Sequence, residues 1–345
     1  MSAEPPAAPP LVSVVIPTFN REDILGRCLE ALAVQTYERL EVVVVDDCSA
    51  DNTQEVLAEF VRDHPSLALT YARNETQSGA NPSRNRAIGM SHGELIAFED
   101  DDCIAEPRWV EALVAQFVSD QVGAVTGIVE DPDPRNLYDL AFRGTHRVYG
   151  RVHATRLIAG NMCVRREYLG AALDEDRAQV SADNTVSGRG DEEGLYLRLK
   201  ARGLEVRVAQ DATVLHEHFY SRRSFFRQAY KGGGSAARLA YKYGLPVRIE
   251  LSCLALAYLA LPLGFVTPWM LLPSVLLFGL FAAATLVYNE IWRKKKTVLE
   301  ALQVGPLMCA YYHLRAAGYF RQLLRLWTGR DTIERIVLGP APEGR

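Results

Sequence analysis

Leu95-Ile-Ala-Phe-Glu-Asp-Asp-Asp102 joins a short apolar run to consecutive carboxylates. Leu95–Phe98 suits a buried strand, and a strand that ends in acids puts negative charge at the C-terminal edge of a sheet. Open α/β sheets bind their ligands at that edge. Adjacent acids repel one another unless a cation is shared, and hard divalent ions such as Mg2+ or Mn2+ prefer carboxylate oxygen. A metal held by one or two acids, with positions left open, is suited to gripping a diphosphate. A solvated acidic turn is the plainer reading of the same residues, so the surrounding pattern has to decide.

Working outward, residues 11–130 alternate strand and helix signals. Leu11–Ile16 reads as a strand closed by Pro17 and Asn20. Ile24, Leu25, Cys28, Leu29 and Leu32 recur at helical spacing up to Val34. Glu41–Val45 is a second β-branched run and ends in Asp46-Asp47. Asp51 or Asn52 is placed to cap a helix from Thr53 to about Arg62. Leu67–Tyr71 is a third strand, Asn85–Met90 opens a helix, and Leu95–Phe98 is the fourth strand. Strands separated by 10–15 helical residues read as βαβ units around a mostly parallel sheet flanked by helices. The loops after the strands then meet along one edge, carrying Thr18 to Asn20, Asp46-Asp47, Ser78–Arg86 and Asp100–Asp102.

Composition narrows the class. The chain of 345 residues has a formal net charge of -4 and a pI near 6, unlike a dedicated nucleic-acid binder, which is usually basic. Its six cysteines show no CxxC spacing, so a zinc site or disulfide framework is not indicated and a reducing compartment fits. Residues 1–10, rich in proline and without an apolar core, read as a disordered leader and not as a signal peptide.

Residues 219–249 hold seven Lys/Arg (Arg222, Arg223, Arg227, Lys231, Arg238, Lys242, Arg248) and no acid. Leu251–Asn289 is strongly apolar and almost free of charge. As one helix its 39 residues would reach about 58 Å, against roughly 30 Å of hydrocarbon, so two short spans with a break among Pro262, Thr267, Pro268 and Pro273 fit better. Basic residues on both sides, including Arg293-Lys294-Lys295-Lys296, place both ends in the cytoplasm. A re-entrant hairpin is the competing reading, and a buried soluble core a third. The tail from Leu302 to Trp327 mixes Leu, Tyr, Phe and Trp with Arg, as an interfacial amphipathic segment does. The expected organisation is therefore 1–10 leader, 11–130 nucleotide half, 131–235 acceptor and base half, 236–300 basic segment and hairpin, and 301–345 interfacial tail.

Ser13-Val-Val-Ile-Pro-Thr-Phe-Asn20, Gln35-Thr-Tyr37 and Val43-Val-Val-Asp-Asp47-x-Ser49 together resemble the family 2 glycosyltransferases, over about residues 11–235. Asp100–Asp102 looks like that family's DxD element, and Ala159-Gly-Asn161-Met-Cys-Val-Arg165 like its acceptor-side segment. Gly190-Asp-Glu-Glu-Gly-Leu-Tyr-Leu-Arg198 is similar to its general-base motif. The resemblance implies an inverting enzyme of the GT-A fold that uses Mn2+ or Mg2+ and a nucleotide-diphosphate sugar. It implies Asp102, with Asp100, as metal ligands, His216 as a further ligand, and donor-binding roles for Pro17, Thr18, Asn20, Asp47, Arg84, Arg86, Asp100 and Asp101. It implies acceptor binding at Asn161. The family's base motif usually reads Glu-Asp, whereas this chain reads Asp191-Glu192-Glu193. Counting back from Arg198 points to Glu192 as base and residue type points to Asp191, so both stand.

The function expected is transfer of a single sugar to a lipid-linked or cell-envelope glycan, at the cytoplasmic membrane with the catalytic part facing the cytoplasm. No QxxRW signature precedes the apolar block; Gln322-Leu-Leu-Arg325-Leu-Trp327 is one residue too long and lies after it. The irregular base motif supports an alternative, a catalytically silent nucleotide-sugar-binding scaffold. A nucleotidyltransferase or dinucleotide oxidoreductase would need a glycine-rich loop after the first strand, where this chain reads Pro17-Thr-Phe-Asn-Arg21.

Overall fold

In the computed structural model the described residues are 8–146, 153–154, 156–169, 191–246, 254, 256–258, 271–331 and 333. The chain divides into two compact units, one of Met1–Glu130, Val148–Glu217 and Leu338–Arg345, the other of Asp131–Arg147 and His218–Val337.

The first unit is built on one eight-stranded sheet. In chain order its strands are β1 (Val12–Thr18), β2 (Leu40–Asp46), β3 (Ala68–Arg73), β4 (Leu95–Glu99), β5 (Cys103–Ala105), β6 (Val122–Glu130), β7 (Asn161–Arg165) and β8 (Glu205–His216). They lie in the order β3-β2-β1-β4-β7-β6-β8-β5. The first four are mutually parallel, as their β-branched runs predict. β7 then pairs antiparallel with both β4 and β6, so the sheet is mixed. Strand order reverses between β1 and β4, because the chain builds outward through β2 and β3 before returning to the other side of β1. A crevice opens at such a switch point, outside the C-terminal ends of the two strands.

Every residue of β1 and β4 is buried, which explains why they read as continuous apolar runs and not as alternation. Alternate side chains feed two cores. Val12, Val14, Ile16, Val42, Val44, Leu95 and Ala97 pack on one face against α1 (Leu25–Ala33), α2 (Thr53–Asp63) and α4 (Trp109–Val114). Val15, Val43, Ile96 and Phe98 pack on the other, where α3 (Ala80–Met90) contributes Ala87 and a helix over Asp191–Ala201 contributes Leu195 and Leu199. α3 starts at Ala80, five residues earlier than the apolar pattern placed it. Its first turn is polar, with Asn81, Ser83 and Arg84 all buried, so hydropathy could not reveal it.

The second unit is helical. Helix Arg222–Tyr243 starts at Ser221, which forms a reciprocal capping box with Ser224. Helix Val298–Trp327 starts at an equivalent box of Thr297 and Glu300. The two pack backbone to backbone: a Cβ on Gly233 would stand 1.9 Å from the Arg315 carbonyl oxygen, and one on Gly318 2.1 Å from that of Tyr230. Only glycine fits at either position. The C-terminal helix is thus not simply a surface element, since Val304, Met308, Tyr311, Ala316 and Tyr319 are buried in this unit's cores.

Helix Leu272–Arg293 is, among the described residues, the one long and apolar enough to cross a membrane, by length and composition only. Leu272, Val275, Leu276, Leu280, Val287, Tyr288 and Trp292 on it are exposed. The first of the two expected spans lies mostly outside the described residues.

Two expectations about basic residues are corrected. Lys294 and Lys296 are buried, with Nζ 3.0 and 2.8 Å from the Glu290 carboxylate. Lys294 also donates to the Ala141 carbonyl at 2.7 Å and Lys296 to that of Arg143 at 3.0 Å. They lock the C-terminal end of helix Leu137–Phe142 and do not face headgroups. Arg238 is likewise buried and donates to Asp331 at 2.6 Å, beside Gln322, which holds the same oxygen. Arg222, Arg223 and Arg227 remain exposed.

Candidate functional site

Three loops converge at the C-terminal ends of β1, β2 and β4, each shaped by hydrogen bonds that its sequence supplies. After β1, Pro17 and the buried Thr18 end the strand, and Asn20 takes a left-handed conformation (φ 53°), one that asparagine tolerates better than most residues. The Asn20 amide N–H donates to Ser49 Oγ at 2.8 Å, while its side-chain oxygen accepts from Ala50 N–H at 2.8 Å. Asn20 therefore ties the β1 loop to the β2 loop.

After β2, Asp47 is buried. Its Oδ1 accepts from Asn74 Nδ2 and Ser78 N–H, both at 2.8 Å, and its Oδ2 from Gly79 N–H at 2.7 Å. Gly79 has φ 104°, a conformation that glycine adopts without penalty. Asp47 thus folds residues 74–79 over the β2 end and sets the start of α3. That helix aims Arg84 at the acid run: Arg84 is 5% exposed, and its Nη2 donates to Asp100 Oδ1 while Nη1 donates to Asn81. Arg86 points elsewhere. It donates to the Arg73 carbonyl at 2.7 Å and to Asn74 Oδ1 at 2.8 Å, so the structure separates it from the acids that sequence order grouped it with.

At the end of β4 the acids divide by environment. Glu99 is fully buried, and burial, with the nearby Asp100 charge, pushes its carboxyl well above the usual carboxylate range. Asp100 is half-buried and paired with Arg84. Burial pushes Asp101 up to about 7, with the Asp102 charge adding and Arg21 opposing. Asp102 is 4% exposed. Arg21 Nη2 lies 3.2 Å from its Oδ2, and His216 Nε2 lies 3.3 Å from its Oδ1. His216 arrives as the last residue of β8, whose antiparallel pairing sets it opposite Cys103, the residue after Asp102. The next backbone N–H, of Glu217, donates to the Asp102 carbonyl at 2.7 Å.

A carboxylate and an imidazole converging within 3.3 Å, with a further carboxylate two residues away, form a mixed oxygen and nitrogen donor set. Such a set fits Mn2+ and, less well, Mg2+. Gly160 packs closely behind Asp100, since a Cβ there would come 2.9 Å from Asp100 Oδ2. The sequence reading missed Arg21, which also approaches Asp101 Oδ1 at 3.5 Å. The signal was available: Arg21 follows Asn20, and β1 neighbours β4.

The Asn161 side chain, expected at the acceptor, is enclosed and engaged within the fold. It is 0% exposed; its Oδ1 accepts from Trp109 Nε1 at 2.8 Å and its Nδ2 donates to the Ile128 and Ala212 carbonyls, each at 2.9 Å. The amide joins β6, β7, β8 and α4 behind the acid run. Asn161→Ala would leave one buried donor and two buried carbonyls unpaired, at a cost of about 3 kcal/mol. Chemical denaturation should show that loss, whereas an acceptor-contact role predicts a raised acceptor KM at unchanged stability.

Glu192 lies half-buried in the first turn of helix Asp191–Ala201, while the side chain of Asp191 falls outside the described residues. The segment before it, residues 170–190, is also outside them.

Residues 13–170 match the family model described as Glycosyl transferase family 2. Glycosyltransferase AglE of Haloferax volcanii is 36% identical over 123 residues, 35% of this chain and 40% of the relative. The GalNAc(5)-diNAcBac-PP-undecaprenol beta-1,3-glucosyltransferase of Campylobacter jejuni is 33% identical over 93 residues, 27% of this chain and 30% of the relative. The matched stretch thus spans well under half the length of either relative. Among solved structures, the mannosyltransferase PcManGT from Pyrobaculum calidifontis, in complex with GDP-Man and Mn2+, has a TM-score of 0.59. It covers 91% of this chain and 88% of its own at 19% identity. That likeness is one of fold, and the first unit has the GT-A fold.

Proposed function

We propose, on the premise that this chain belongs to glycosyl transferase family 2, that it moves a single sugar from a nucleotide-diphosphate donor to a lipid-linked or cell-envelope glycan, with inversion. The observation that carries this reading is the acid run at the sheet's switch point, with His216 brought against Asp102 from another strand. A solvated acidic turn would be exposed and unpaired, whereas Asp101 and Asp102 are buried.

The residues divide the work. Asp102, Asp100 and His216 would hold Mn2+ or Mg2+, which as a Lewis acid supplies charge stabilisation to a departing diphosphate. Arg84 lies beside Asp100, where a guanidinium fork suits phosphate oxygens. Pro17, Thr18, Asn20 and Asp47, at or just past the C-terminal ends of β1 and β2, would lie against the nucleoside. Glu192 or Asp191 would accept the acceptor hydroxyl's proton as that oxygen attacks the anomeric carbon from the face opposite the leaving group.

Two variants separate the base candidates. The side chain that serves as base should lose about 10²- to 10³-fold in kcat when made its amide, Glu192→Gln or Asp191→Asn, while the other loses less than about tenfold. Equal, small losses in both would contradict a base at this motif.

A lipid-linked acceptor is supported by the undecaprenol-linked substrate in the name of the Campylobacter relative, and membrane attachment by the exposed apolar face of helix Leu272–Arg293. Exposed Arg222, Arg223 and Arg227 near anionic headgroups would add about 1 kcal/mol each, and positive charge beside an apolar helix favours the cytoplasmic side. Purified protein offered polyprenyl-diphosphate-linked glycans and nucleotide sugars should lengthen the acceptor by one residue. Release of nucleoside diphosphate with no such product on any lipid-linked glycan would overturn the acceptor class.

A further inference from the structure

The acid run carries its own counter-charges, and one of them divides Asp102. Three carboxylates, Asp100, Asp101 and Asp102, face two guanidinium groups. Arg84 pairs with Asp100, and Arg21 reaches Asp102 Oδ2 at 3.2 Å and Asp101 Oδ1 at 3.5 Å. With all five ionised, the cluster has a net charge of -1 instead of -3. Arg21 engages one oxygen of Asp102 while the other faces His216 Nε2 at 3.3 Å, so the guanidinium also fixes which oxygen is turned toward the imidazole.

The base of Arg21 is rigid. Its N–H donates to Thr53 Oγ1 at 3.2 Å, and the preceding Asn20 is tied to the β2 loop by its backbone N–H and its side-chain oxygen. The Arg21 side chain is 36% exposed, so a ligand can reach its guanidinium from solvent.

We propose that Arg21 is a positioning residue that makes loading of the divalent cation depend on the donor. This rests on the glycosyltransferase reading above. A bare divalent cation entering a cluster of net charge -1 leaves it at +1 and meets the Arg21 charge on the far side of the same carboxylate. A nucleoside diphosphate brings at least two negative charges, which relieves that repulsion and gives the guanidinium a phosphate to hold. Cation and donor then bind together better than either binds alone. Without Arg21 the cluster is -2 and the cation enters unaided.

Mn2+ binding to the full-length protein in detergent, followed by calorimetry and by electron paramagnetic resonance of free Mn2+, tests this without turnover. The probes are Mn2+ alone and Mn2+ with UDP, GDP or dTDP. In the wild type, the nucleoside diphosphate that binds should tighten Mn2+ at least tenfold. Arg21→Gln should bind Mn2+ alone at least tenfold tighter than wild type and lose most of the nucleotide effect. Arg21→Lys, which keeps the charge, should stay near wild type. Arg21→Met serves as a second neutral variant should Arg21→Gln not fold. Mn2+ affinity that is unchanged or weaker in the neutral variants, or an Arg21→Lys that behaves as they do, overturns the role of Arg21 alone. A wild type and neutral variants that all fail to bind Mn2+, with or without nucleotide, overturn the metal-dependent reading and this inference with it.

Discussion

Asp102→Asn is expected to lower kcat/KM for sugar transfer by about a thousandfold, roughly 4 kcal/mol of transition-state stabilisation. Asparagine has the shape of aspartate, so the β4 end and the Glu217 N–H bond to the residue 102 carbonyl can persist. What disappears is the charge that faces His216 on one side and Arg21 on the other. The amide is a poor ligand for a hard cation, and the leaving diphosphate loses its main counter-charge. The variant should melt within a few degrees of wild type and still bind nucleotide weakly. Steady-state release of nucleoside diphosphate with the physiological donor provides the measure. Wild-type turnover in a folded Asp102→Asn protein would contradict the assignment of Asp102 as a metal ligand.

Glu290→Leu should destabilise the helical unit by about 3–5 kcal/mol. Glu290 is fully buried between Lys294 and Lys296, and its removal strands two ammonium groups whose remaining contacts are backbone carbonyls of Ala141 and Arg143. Burial and the Lys296 charge already push Lys294 down to about 7, which shows how much this environment disfavours a second positive charge. Replacing all three together, Glu290→Leu with Lys294→Met and Lys296→Met, should recover most of the loss, because no buried charge is then left unpaired. Thermal unfolding in detergent measures both proteins. A single variant as stable as wild type would mean that the cluster is hydrated and not sealed.

The parts of this fold that announce themselves in sequence are those in which local pattern and tertiary role coincide. β1, β2 and β4 are buried on both faces over nearly all their length and so appear as largely apolar runs; α1 and α2 show their apolar stripe at helical spacing. Asp100–Asp102 was legible because an apolar run gives way to consecutive acids there, although β4 itself continues through the buried Glu99. α3 was placed late because its first turn buries polar side chains that serve the Asp47 loop and the acid run. Asn161 sits in a recognisable motif, yet its role as a hub for Trp109 and two carbonyls depends on β6, β7 and β8 coming together, which no local pattern encodes. Arg21 is similar: it meets the acids only because β1 and β4 are neighbours. The Lys294 and Lys296 pair was read as membrane-flanking charge although Glu290 stands four residues before Lys294, at the spacing of a helical ion pair.

The switch-point acids are expected to bind an activated sugar through a divalent cation. Calorimetric titration of the purified chain with a panel of nucleotide sugars, with Mn2+ and again with excess EDTA, measures this directly. One donor should bind in the micromolar range with Mn2+ and at least tenfold more weakly in EDTA. Equal affinity in both conditions, or no heat from any nucleotide sugar, would contradict it.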